Sequence, residues 1–134
     1  MREEAKRLSY RVWIKSSTDQ LHNIAVQGPA SRTIVKEVVW TPPAQPQVDE
    51  LEWFRFTIGR IGDLNGIPVM VSRTGYTGAL GFEAFCHPNY AVPVLDAIWE
   101  ADQTHDLSPQ GLHALDMDPI APETIFLRHR VRDP

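Results

Sequence analysis

The stretch Phe54-Arg55-Phe56-Thr57-Ile58-Gly59-Arg60-Ile61-Gly62-Asp63-Leu64-Asn65-Gly66-Ile67-Pro68-Val69-Met70-Val71-Ser72 decides the fold class. Phe54 to Ile61 and Ile67 to Ser72 are rich in aromatic and β-branched residues, which suit a pleated, half-buried surface, and Gly62 to Gly66 supplies turn chemistry between them. Two strands joined this closely must run antiparallel, because a parallel pair needs a crossover of a dozen or more residues. Upstream, Tyr10, Val12 and Ile14 alternate with Arg11, Trp13 and Lys15, the period of a half-buried strand. A further strand is expected at His22 to Val26, ended by Gly28-Pro29, and a short helix at Ser31 to Val39 with Ile34, Val35, Val38 and Val39 apolar. Downstream, Gly81 to Cys86 reads as a strand. From Asn89 to about Gln103, Ala91, Val94, Leu95, Ile98 and Trp99 recur at helical spacing. This order predicts an α+β fold, an antiparallel sheet with helices packed mainly on one face, in preference to a doubly wound parallel sheet.

The remaining segments bound the domain. Met1 to Leu8 reads as the last turns of a helix that begins upstream, and Thr41 to Gln47, with Pro42, Pro43 and Pro46, as a stiff connector leading to an acidic turn at Val48 to Glu52. Past Leu107, Pro109, Pro119 and Pro122 interrupt any pattern, so 118–134 is expected to be irregular. At 134 residues the chain is a single domain over 1–134. Thirteen Lys plus Arg against 17 Asp plus Glu leave a net charge of −4, which argues against a nucleic-acid surface, with Arg128, Arg130 and Arg132 a partial exception. One cysteine, Cys86, forms no internal disulfide, and no charged-then-apolar leader opens the chain, so a cytoplasmic protein is expected. No apolar run approaches the ~20 residues of a membrane helix.

Val71-Ser72-Arg73-Thr74-Gly75-Tyr76-Thr77-Gly78-Ala79-Leu80-Gly81-Phe82-Glu83 is the densest candidate for chemistry. Its glycines suggest a phosphate loop, but no Lys-Ser/Thr pair follows, the spacing is not a dinucleotide fingerprint, and a strand rather than a helix comes next. Two readings stay open. In one, the loop merely joins two strands, with Tyr76 capping the core and Glu83 pointing to solvent. In the other, Tyr76 stacks on a planar heterocycle and Glu83 accepts two parallel hydrogen bonds from its amino-pyrimidine edge.

Ser72-Arg73-Thr74-Gly75-Tyr76-Thr77-Gly78 followed by Gly81-Phe82-Glu83 resembles the most diagnostic segment of the glycine cleavage system T-protein (aminomethyltransferase) superfamily. Ile24-Ala25-Val26-Gln27-Gly28-Pro29-Ala30-Ser31 is similar to that family's strand closing in Gln-Gly-Pro, and Leu107 to Met117 to the segment after its long helix. The resemblance covers about Leu21 to Met117 and marks the chain as the central folate-binding part of such a protein. It implies tetrahydrofolate as cofactor, with Glu83 on the pterin ring, Tyr76 lining the same pocket, and Arg73 grouped with them as a cofactor-binding candidate whose own role is either to steady the loop or to lie on the surface. Where the family often has an Arg near the folate's acidic tail, this chain has Leu115. The family's catalytic Asp would lie ahead of these motifs, so no catalytic residue is assigned, and the chain alone is expected to bind reduced folate weakly and turn over little. The alternative is a non-catalytic binding or interaction module that keeps the fold without transferase activity.

Other signals are weaker. His105, Asp106, His113, Asp116 and Asp118 crowd one region but lack a ligand spacing, so no metal is expected. Cys86 and His87 are neighbours on a strand and so face opposite ways, which leaves Cys86 structural. Trp13, Trp40, Trp53 and Trp99 are expected to pack in the core and connectors, any exposed remainder forming an apolar patch that favours self-association.

Overall fold

The computed structural model describes residues 1–101 and 107–110. Helix α1 spans Arg2–Arg7, β1 His22–Gln27, α2 Ser31–Val38, β2 Val39–Trp40, β3 Phe56–Ile61, β4 Ile67–Ser72, β5 Gly81–Cys86 and α3 Ala91–Glu100. The five strands form one antiparallel sheet in the order β1-β5-β4-β3-β2. The α+β class expected from the hairpin is therefore what the chain adopts. Strands β1 and β2 lie at opposite edges, and α2 carries the chain from one to the other.

Alternation divides the sheet into two faces. Val26 of β1, Thr57 and Ile61 of β3, Val69 and Val71 of β4, and Phe82, Ala84 and Cys86 of β5 are buried. They meet Ile34, Val35 and Val38 of α2 and Val94 and Ile98 of α3 in one core. Pro93 falls in the first turn of α3, where its missing N–H has no helical partner to lose. The opposite face carries no helix among the described residues: Phe56 and Ile58 of β3 are exposed there, and Met70 and Phe85 half-buried.

The hairpin turn is tied by its own polar groups. Asp63 Oδ1 accepts from the Asn65 amide at 2.7 Å, and the Arg60 guanidinium donates to the Gly66 carbonyl at 2.9 Å. The connector after Pro46 is held by two arginines. Arg32 donates to the carbonyls of Val48, Asp49 and Leu51 while its guanidinium stands 5.5 Å from the Phe82 ring centre, and Arg73 donates to the Leu51 carbonyl at 3.0 Å. Lys36 pairs with Asp49 on the surface and holds that carboxyl below its usual range.

Three expectations need correction. Tyr10 to Ile14 is not a strand: Tyr10, Val12 and Trp13 are all well exposed, on both sides of the alternation, and no strand among the described residues pairs with the segment. Strand β3 begins at Phe56 rather than Phe54, because Phe54 takes a positive φ of 58° in a turn closed by Arg55 N–H donating to the Glu52 carbonyl at 3.1 Å. No tryptophan is buried; Trp13 is 84% exposed, while Trp53 and Trp99 are exposed to nearly half. The helix expected from Asn89 opens with a 3-10 turn at Pro88–Tyr90 before α3. Gln103, residues 111–134 and the His105, Asp106, His113, Asp116 and Asp118 group lie outside the described residues. Among the described residues no helix is long and apolar enough to cross a membrane.

Candidate functional site

Glu83 is the third residue of β5 and belongs to the uncovered face, where it is half-buried. Strand register decides its neighbours. Ala25 lies directly across from it on β1 and Ser72 on β4, so the carboxylate stands between two small side chains. Its Oε1 accepts from Asn23 Nδ2 at 2.7 Å and its Oε2 from the Thr74 hydroxyl. Thr74 and Ser72 share a further hydrogen bond of 2.6 Å, in which Ser72 must donate because the single Thr74 proton is committed to the carboxylate. Two donors from opposite sides fix the carboxylate's plane, and an ionised carboxylate has about four acceptor positions, so two remain for a ligand.

Tyr76 sits in the loop between β4 and β5 and is 47% exposed. This loop is pinned from below by Gln27, the last residue of β1 and the register partner of Gly81. Gln27 Nε2 donates to the Phe82 carbonyl at 3.4 Å, and its Oε1 accepts from the Thr77 hydroxyl at 3.3 Å. The loop returns to the first turn beyond β1, where the Gly28 amide donates to the Leu80 carbonyl at 2.7 Å; Gly28 has φ +112°, which a side chain would strain.

Arg73 does not join Glu83. Its guanidinium lies 5.1 Å from the Trp53 ring centre and donates to the Leu51 carbonyl, while its backbone exchanges hydrogen bonds with Phe54 and Arg55. These contacts tie Arg73 to the segment Leu51 to Arg55. Cys86 is buried on the core face, and burial pushes its thiol above the ordinary range. His87 instead caps the following turn, its Nδ1 accepting from the Asn89 amide at 3.3 Å. No group of three or more potential metal ligands occurs among the described residues.

The sequence reading of Tyr76 and Glu83 missed three partners: Asn23, Thr74 and Gln27. Asn23 and Glu83 are 60 residues apart, and only the β1–β5 register brings them together. The available signal was that Asn23, Ala25 and Gln27 alternate with the apolar Ile24 and Val26 and so share the face opposite the core. Two concavities of about 350 and 500 Å³ lie along β1 where residues 107–110 pass it. Neither is lined by Glu83 or Tyr76, which belong to an open wall.

Compared with known proteins, residues 1–120 match the family described as GCVT N-terminal domain. The chain belongs to that family. A trimethylamine-oxide aldolase of Ruegeria pomeroyi is similar to it, 56% identical over 133 residues, which is 99% of this chain and 17% of the relative. An aminomethyltransferase of Halothermothrix orenii is 38% identical over 106 residues, 79% of this chain and 28% of the relative. One of Chlorobium phaeobacteroides is 42% identical over 108 residues, 78% and 27% respectively. The GCVT chain thus spans less than a third of the length of each of these curated relatives.

Proposed function

We propose that this GCVT chain forms the pterin-recognising wall of a tetrahydrofolate site in a protein that handles one-carbon groups. The observation that carries the reading is the Glu83 carboxylate, held in plane by Asn23 and Thr74 on a sheet face that no helix covers among the described residues. A reduced pterin presents a ring N–H and an amino group side by side, and a carboxylate with two acceptor positions left matches that edge with two charge-assisted hydrogen bonds. Ala25 and Ser72 beside Glu83 leave space for a flat ring, and the exposed Tyr76 ring supplies an aromatic surface for it.

Reduced folate would supply the nitrogen that accepts the one-carbon unit, while this chain orients the ring. Glu83 selects for the amino-pyrimidine edge, since an analogue without those donors leaves the carboxylate's acceptor positions unfilled. Tyr76 shields one side of the ring from water, which strengthens the hydrogen bonds at Glu83. The names of the relatives are consistent with a shared acceptor: an aminomethyl group in one and a trimethylamine-oxide in the other both put a one-carbon group on nitrogen. The 56% identity to the aldolase favours the second kind of donor.

Titration of the chain with reduced folate, followed through quenching of ligand fluorescence, tests the wall. Tyr76→Ala should weaken binding about tenfold while Tyr76→Phe, which keeps the ring, stays close to the original. Equal affinity in all three proteins would remove Tyr76 from the site.

A further inference from the structure

The geometry points to Gln27 as the positioning residue that sets the Tyr76 loop against Glu83, with Gly75 and Gly81 forming the slot that receives its side chain. This deepens the folate reading and rests on it for the binding readout alone. A Cβ on Gly75 would lie 2.3 Å from Gln27 Oε1, and one on Gly81 2.0 Å from the same atom, both far inside contact distance. The two glycines therefore leave open the volume that the Gln27 amide fills. From that slot the amide reaches in two directions. It accepts from Thr77, the residue after Tyr76, and donates to the carbonyl of Phe82, the residue before Glu83. One side chain from a third strand thus spans the two groups proposed to grip the ring, and it comes from the edge strand that also supplies Asn23. Gly75 and Gly81 looked in the sequence like parts of a phosphate loop, and the slot gives them a different reason to be glycine.

Shortening Gln27 should free the loop without displacing Glu83, whose own anchors are Asn23 and Thr74. The test is hydrogen–deuterium exchange of the chain, paired with calorimetric titration by reduced folate, for Gln27→Ala and for Gln27→Met, which fills the slot but makes neither hydrogen bond. Faster exchange confined to residues 75–80 with β3 and β4 unchanged, together with affinity about tenfold weaker, is the expected result. Loop exchange that rises while even the unsubstituted chain binds no folate would uphold the positioning role and reject the folate reading. Unchanged loop exchange in both variants overturns the proposal, whatever the affinity does; a loss of affinity alone would mean that Gln27 touches the ligand. Gly75→Ala gives an independent check on folding, since its damage to thermal stability should shrink in the Gln27→Ala background. Additive damage would contradict the slot.

Discussion

Thr57 carries a hydroxyl that is buried on the core face and has no hydrogen-bond partner among the described residues. An unpaired buried hydroxyl costs more than the apolar methyl that would replace it, so Thr57→Val should stabilise the chain by about 1 kcal/mol in urea unfolding. A loss of stability would mean that the hydroxyl has a partner. Glu83 and Tyr76 could be singled out as candidates in the sequence because their residue types suggest their chemistry and they sit seven positions apart in one motif. Asn23 and Gln27 were not, since an amide on a strand looks like any solvent-facing residue until the register shows what it faces. The contact of Arg73 with Trp53 was not legible either, since it depends on how the connector folds back.

At the scale of elements, Gly59 decides whether β2 can pair. A Cβ there would come within 2.7 Å of the Trp40 carbonyl oxygen and 2.8 Å of a Val39 methyl. Gly59→Ala should therefore break the short β2–β3 pairing and cost about 1–3 kcal/mol, seen as a lower melting temperature and faster amide exchange at residues 39–40. An unchanged melting temperature would show that the edge gives way easily. Cys86 on β5 makes a pH prediction. Its folded thiol titrates above the unfolded one, so its contribution to stability is full below the unfolded thiol value and is lost as pH rises beyond ~8.5. The urea midpoint should fall between pH 8 and 10, and less steeply in Cys86→Ala; parallel slopes would exclude the thiol as the cause. The hairpin, β1, β5, α2 and α3 were all readable, since periodicity and turn chemistry agreed at each. Tyr10 to Ile14 failed because alternation promises a strand only where another strand offers its edge.

At the scale of the whole molecule, the sheet keeps one face for its helices and leaves the other to Glu83, Phe56, Ile58, Met70 and Phe85. The chain covers 17–28% of relatives such as these, and the role proposed for it is the pterin-recognising wall alone. The fold class could be read from one hairpin, but the openness of this face could not, because a strand's outward residues look alike whether water or another domain meets them. The central claim is that Glu83 reads the pterin edge, and it is tested most directly by calorimetric titration of the chain and its Glu83→Gln variant. Each would be titrated with reduced folate and with an analogue lacking the 2-amino group. The account predicts saturable binding of folate that weakens by about 1 to 3 kcal/mol on either change, with little further loss when both are made. Equal heats for the two proteins, or no heat at millimolar folate, would contradict it.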